Sequence, residues 1–598
     1  MKRSEVPVNM TWDLGLIYKS PEDANRDAEE VTKLSKKAEK EYKGKLKDAK
    51  TIVECLHLYE RMSELADKVS QYYGLAMETD FTDSEAVAKS NKADSILTDA
   101  FTRTSFIDTE VVTADDAVLE EAVATGGTVA NYIKDLLRSK PHLLSAETEE
   151  VLTALSDFMH TPYDVYLQAK LSDMRFDDFT VNGKTYPLGY SLFEDEYEYE
   201  CDTDVRRAAF RNFSDKIKQY ENVTATAYNA YVTRDKKMAD LRGYKDVFDY
   251  LLFSEKVTKD LYDRQIDVIM EKLAPHMRKY ASLIKKVHKL DKMTYADLKL
   301  SVDPEYDPRV SIEEAEKYVA DGLAVMGEEY VEMVHEAFKN RWIDFATNDG
   351  KSTGGFCASP YGVPASFILL SWQNRMADVF TLAHELGHAG HFRLCNNAKG
   401  YFDTQVGQYF VESPSTMNEL LLTGYLEKTS NDPRFKRWVL SCTVGKTYYH
   451  NFVTHLLEAA YQREVYKIID AGESVQAETL SDIYKDVLTK FWGDTVELTE
   501  GAELTWMRQP HYYMGLYSYT YSAGLTIATK MSKRILTEGE TAVNDWKKAL
   551  AAGSTVTPLE FAKMAGVDIS TDGPLVETIE YIGSLIDEMC RLTEEMEG

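Results

Sequence analysis

Residues Phe380–His391 read FTLAHELGHAGH and contain H-E-x-x-H at His384, Glu385 and His388. The flanking Ala377, Val379, Phe380, Leu382 and Leu386 predict a buried helix rather than a loop. Positions four apart stand one turn above each other in a helix, so His384 and His388 point the same way and can share one metal ion. Zinc suits such a pair, because it takes neutral imidazole nitrogen. Glu385 lies roughly 100° round the helix from His384, placed to reach water on the ion without being a ligand. Two fixed nitrogens, an open position and a carboxylate base are what a hydrolytic zinc site needs. A buried helix with two satisfied histidines is the competing structural explanation, and the sequence further on argues against it.

A third ligand has to come from outside the motif. His391 sits three residues past His388 but seven from His384, about 10.5 Å along the axis, so three imidazoles of one straight helix would not converge. It is expected as a packed or supporting histidine. The metzincin pattern needs a histidine where Leu394 stands. Phe410–Glu419, FVESPSTMNE, offers Glu412 and Glu419, seven apart and on one helical face. One can ligate while the other accepts a hydrogen bond from a ligand imidazole, and spacing alone does not choose between them.

Outward from this centre, the 598 residues exceed one small core, which predicts at least two lobes. A formal net charge of −30 argues against nucleic acid and anionic membrane as partners, and for attraction of cationic or peptide substrates. Six scattered cysteines without a C-x-x-C pair point to reduced thiols. Met1–Lys19 carries no apolar core of signal-peptide length, and no apolar run reaches membrane-spanning length, so a cytoplasmic location is expected.

Along the chain, Ser20-Pro21-Glu22-Asp23 predicts a helix start. Amphipathic helices follow to about Met159, broken at Thr79–Asp83 and near Gly126-Gly127. Met174–Val181, Asn182-Gly183 and Lys184–Leu188 predict a β-hairpin on a tight Asn-Gly turn. Helices resume near Asp202. Ser311-Ile312-Glu313-Glu314 starts another, expected to end near Arg341. Trp342–Ala346 and Phe367–Trp372 are expected as short strands beside the metal helix, and mostly helix follows. Pro510–Gly524, PHYYMGLYSYTYSAG, is an aromatic stretch with one histidine. Core packing accounts for two or three of its tyrosines. Phenol and imidazole are also donors that a tetrahedral intermediate needs.

TLAHELGH paired with FVESPSTMNE resembles the thimet oligopeptidase and oligoendopeptidase F family of zinc peptidases. MTWDL near the start, LRGYKDVFDYLLF at Leu241–Phe253, WIDF at Trp342–Phe345 and AGVDIS at Ala565–Ser570 are similar to the oligoendopeptidase F branch. Phe356-Cys357 departs from that branch's usual Tyr-Ser, Ser371 from a frequent Asn, and Pro414 is closer to the thimet branch. The resemblance implies one zinc ion held by His384, His388 and Glu412, Glu385 as catalytic glutamate, and Glu419 in support. It implies that His511, Tyr517 and Tyr521, with Tyr519 as a further candidate, bind substrate carbonyls or the oxyanion. The implied fold is mainly α, two helical lobes around a deep substrate channel, with a small β element beside the H-E-x-x-H helix. The expected domains are 1–195, helical with the hairpin near 174–188, and 196–598, catalytic. The expected function is zinc-dependent endopeptidase action on internal bonds of short unfolded oligopeptides. The alternative is a silent helical peptide-binding protein with a vestigial metal site. A thermolysin-like secreted protease, using Glu419 through Asn418, is disfavoured by the long spacing and the missing secretion signal. The sequence leaves the oligomeric state open.

Overall fold

The computed structural model describes residues 1–352 and 354–597, apart from the side chains of Ala146, Glu150, Thr153 and Asp157. Gly598, the last residue of the expected catalytic domain, lies outside the described residues. The fold is mainly α with two small sheets. The first helix, Pro21–Tyr42, starts as its sequence dictates: Ser20 accepts from the Asp23 amide and proline occupies the first turn. Ser311 and Glu314 form a reciprocal capping box. The helix expected to run from there to Arg341 is two helices, Ile312–Gly322 and Glu328–Lys339. The first is capped at Leu323, a short 3-10 turn Ala324–Met326 follows, and Gly327, at φ 94°, turns the chain into the second helix.

The hairpin is present and shorter than expected, Phe179–Val181 against Lys184–Tyr186, with Val181 opposite Lys184. Asn182 and Gly183 both take positive φ, as the two-residue turn requires. The second sheet has three strands. Phe367–Leu369 lies in the middle, parallel to Ile343–Asp344 and antiparallel to Phe356–Ala358.

The chain forms two compact units, and no single cut, at residue 195 or elsewhere, separates them. The first comprises Met1–Leu143, Pro308–Tyr425 and Met531–Val567. Its helices Pro21–Tyr42, Ala49–Glu78 and Ser84–Thr104 close on Ala24, Val31, Leu65, Val69, Leu97 and Ala100. The N-terminal arm ties onto the three-stranded sheet: the Phe345 amide donates to the Met10 carbonyl at 2.9 Å, and Trp12 packs its ring against Phe356 and Phe367. Burying a side chain of this size stabilises by roughly 2–3 kcal/mol. At the strand end, Asp344 is fully buried and receives Lys351 at 2.7 Å together with Arg3. Two cations and good geometry compensate a carboxylate that would be costly there alone.

The second unit comprises Leu144–Asp307, Leu426–Lys530 and Asp568–Gly598. Its core is aromatic, with Tyr228, Tyr262, Tyr461, Tyr466 and Trp492 fully buried. A π-helical run, Thr443–Thr454, leads into the helix His455–Asp470. Among the described residues no helix is long and apolar enough to cross a membrane.

Candidate metal centre and active site

In the first unit, His384, Glu385 and His388 lie on the helix Met376–Ala398. Asp378 starts it by accepting from the Arg375 and Gln373 amides at 3.0 and 2.8 Å. Glu412 and Glu419 lie on the helix Gln408–Thr429. The two backbones touch at Gly387. A Cβ there would stand 2.4 Å from the Pro414 carbonyl oxygen and 2.5 Å from the Ser415 Cα, so only glycine permits the approach. Asn418 fixes the same contact by donating to the Ala383 carbonyl at 3.0 Å.

This approach brings His384 Nε2 to 3.2 Å and His388 Nε2 to 3.3 Å from Glu412 Oε2. Ligands about 2.0–2.1 Å from a tetrahedral zinc ion stand about 3.3–3.4 Å apart, so both spacings to Glu412 match those of donors that share one ion. Two imidazoles and a carboxylate, with donor atoms all within 4.8 Å of one another, fit a divalent metal. Glu419 Oε1 meets His384 Nδ1 at 2.7 Å, which leaves the Nε2 lone pair for the ion. Ser415 Oγ donates to Glu412 Oε2 at 2.8 Å and holds that carboxylate.

The electrostatics agree. Burial opposes charge on His384, but its bonds to Glu412 and Glu419 win and hold its pKa well above the usual imidazole value. Burial likewise opposes ionised Glu412, and hydrogen bonds from His384 and His388 outweigh it, keeping the carboxyl well below its ordinary range. The trio therefore attracts positive charge. Glu385 is 5% exposed, and burial raises its pKa, with His384 and His388 pulling the other way. The wall beside it is Gly355, where a Cβ would come within 3.3 Å of Glu385 Oε1.

His391 stays outside the trio. It is fully buried, its ring parallel to that of Phe392, and burial followed by its neighbour His388 pushes its pKa down to about 3.

In the second unit, His511, Tyr517 and Tyr521 come together. Ring centroids are 5.7 Å apart for His511 with either tyrosine and 5.1 Å for Tyr517 with Tyr521. Tyr512, Tyr513 and Tyr519 are buried in aromatic packing, Tyr519 edge-on to Tyr262 at 5.0 Å. Three further residues join the group: His450, His455 and Glu458. His455 stacks on Tyr521 at 4.0 Å, and its Nδ1 lies 2.8 Å from Glu458 Oε2. Their sequence signal is H-x4-H-x2-E, in which His455 and Glu458 stand at helical i,i+3 spacing but the five-residue step from His450 to His455 falls outside the α-helical period.

A family model described as "Peptidase family M3" matches residues 197–581, more than half of the chain, and one described as "Oligopeptidase F" matches 110–176. Oligopeptidase PepF of Bacillus subtilis is 28% identical over 592 residues, covering 98% of this chain and 88% of the relative. An oligoendopeptidase F homolog of Borreliella burgdorferi is 27% identical over 605 residues, covering 99% and 100%. Among solved structures, a provisionally named peptidase from Chlamydophila abortus superposes with a TM-score of 0.88 at 20% identity, covering 99% of both chains. Oligoendopeptidase-F from Enterococcus faecium gives 0.74 at 22% identity, covering 96% of this chain and 99% of that one. These structural likenesses establish the fold.

Proposed function

The chain belongs to peptidase family M3, and from that premise we propose that it is a zinc-dependent endopeptidase cleaving internal bonds of short, unfolded oligopeptides. That it is a peptidase of the metalloendopeptidase kind follows from the family. The observation that carries the finer reading is the convergence of His384 Nε2, His388 Nε2 and Glu412 Oε2, with Glu385 beside them on the same helix. Two imidazoles with one carboxylate favour zinc over harder cations.

In this reading His384, His388 and Glu412 hold the ion. When bound, zinc supplies Lewis acidity, which makes water more acidic and polarises a carbonyl. Glu385 takes the proton of the attacking water and later delivers it to the leaving amine. Its burial-raised pKa suits a group that must both accept and release a proton. Glu419 keeps His384 in one tautomer, and Ser415 keeps Glu412 turned toward the imidazoles. Tyr517 and Tyr521 donate hydrogen bonds to the peptide, and His511 binds it through a ring nitrogen. What supports this last role is that their rings form one cluster offering two phenol donors beside an imidazole.

A cytoplasmic location belongs to the same proposal and is supported by six free cysteines. The net charge of −30 supports peptide over nucleic acid or membrane as partner. The test is hydrolysis of a short quenched-fluorescent peptide with and without chelator, followed by zinc add-back. Cleavage within the peptide, lost on chelation and restored by zinc, supports the proposal. Metal-replete protein that binds the peptide intact contradicts it.

A further inference from the structure

Glu458 is a fully buried carboxylate whose ion-pair partners among the described residues are two histidines. Its Oε2 accepts from Ser518 Oγ at 3.0 Å and meets His455 Nδ1 at 2.8 Å. His511 Nδ1 faces the same oxygen at 3.5 Å. The other oxygen, Oε1, is buried without a hydrogen-bond partner among the described residues, and His511 Nδ1 is buried without a well-aligned one. A slight turn of either side chain lets Nδ1–H donate to the carboxylate and satisfies both atoms, which burial otherwise penalises. Burial opposes charge on Glu458, but His455 and His511 outweigh it and hold the carboxyl well below its usual range, so it stays an acceptor.

The neighbouring contacts support the same polarity. His450 and His455 are five apart across the end of the π-helical run and meet Nε2 to Nε2 at 3.0 Å. An acceptor at Oε2 requires His455 to carry its proton on Nδ1, which leaves its Nε2 to accept from His450. Burial first, with the Glu458 charge among the lesser causes, raises the pKa of Tyr295, Tyr484 and Tyr512, which keeps these phenols protonated. His511 itself is 18% exposed and borders a pocket of about 250 Å³ shared with His450, His455 and Arg508.

We infer that Glu458 is a positioning residue for His511: it holds the imidazole with Nδ1 protonated and turned inward, so that Nε2 meets the peptide as an acceptor, its lone pair open to a backbone N–H. The inference rests on the reading of His511 as a substrate-contacting residue. A second metal ion is the rival explanation of the cluster. The 2.8 Å between His455 Nδ1 and Glu458 Oε2 is a hydrogen-bond distance, shorter than the roughly 3.3 Å kept by two ligands of one tetrahedral ion.

The test uses zinc-loaded full-length enzyme with ¹⁵N-labelled histidine, the His511 signals being identified by their loss in His511→Gln. Wild type is expected to show His511 protonated at Nδ1. In Glu458→Gln the amide can donate to Nδ1 instead, so the Nε2–H tautomer is expected to appear. With it kcat should fall about 10²-fold, the order that misplacement of a catalytic group costs, with KM little changed. A wild-type His511 protonated at Nε2 alone would overturn the inference without need of any variant. So would an unchanged tautomer in Glu458→Gln, or a second equivalent of metal that this variant loses. The expected tautomers beside normal turnover of His511→Ala would uphold the positioning and sink only the substrate role of His511.

Discussion

Glu412→Ala and Glu419→Ala separate a ligand from its support. Glu412 Oε2 lies within 3.3 Å of both imidazole Nε2 atoms, whereas Glu419 Oε1 meets His384 at its far nitrogen, Nδ1. Structural zinc sites bind with about 10–16 kcal/mol over four ligands, or about 2.5–4 kcal/mol each. Removing one of three protein ligands should therefore weaken zinc about 10²–10³-fold, the upper end being favoured because two donors remain. Loss of a carboxylate that orients a ligand imidazole costs about 10–100-fold, or about 1.4–2.7 kcal/mol. Zinc competition against a chromogenic chelator, with helix content checked by circular dichroism, measures both. The expected order is wild type tightest, then Glu419→Ala, then Glu412→Ala. Glu412→Ala that keeps its zinc beside a depleted Glu419→Ala would reverse the roles and refute the geometric argument.

Tyr517→Phe and Tyr521→Phe each remove one hydroxyl and little packing. If they hold the oxyanion, steady-state kinetics should show kcat down roughly 10²–10³-fold with KM little changed, where purely structural tyrosines would lower only Tm. Gly387→Ala pushes a methyl into the Pro414–Ser415 backbone, so we expect a loss of about 1–3 kcal/mol by denaturant unfolding together with weaker zinc binding. His391 titrates from 6.5 in the unfolded chain to about 3 when folded, so between those values the unfolded state binds the extra proton. Its contribution is complete above pH 6.5 and is lost as pH falls toward 3. By denaturation at pH 7.5 and pH 5, His391→Phe should lose about 2 kcal/mol less than wild type over that interval. An equal loss in both proteins would contradict a neutral buried His391.

The shared face of His384 and His388 was legible because their spacing and the helix period coincide: they are four apart, and four residues make about one turn. Which of Glu412 and Glu419 meets both imidazoles was not, because both lie on one face of their helix. Tertiary contact decides it: Gly387 lets Pro414–Ser415 approach, Glu412 reaches both Nε2 atoms, and Glu419 meets Nδ1 of His384. The aromatic stretch divided as its composition allowed, with Tyr512, Tyr513 and Tyr519 buried and Tyr517 and Tyr521 beside His511. His450, His455 and Glu458 escaped because the first pair meets through a π-helical register, which α-helical periodicity does not register. The break at Gly327 inside one amphipathic pattern was hidden for a related reason, since periodicity survives a turn that re-enters the same face. The interleaving of the two units depends on contacts far apart in sequence, on which local patterns are silent.

Glu385→Gln is the most direct test of the central claim. The substitution keeps shape and leaves His384, His388 and Glu412 untouched, while it removes the carboxylate proposed to take the proton of water. Metal analysis and peptide turnover on the same preparation should give about one zinc per chain, as a three-donor site predicts, with turnover nearly abolished. A Glu385→Gln protein that has lost its zinc, or that cleaves peptide at the wild-type rate, would contradict the account.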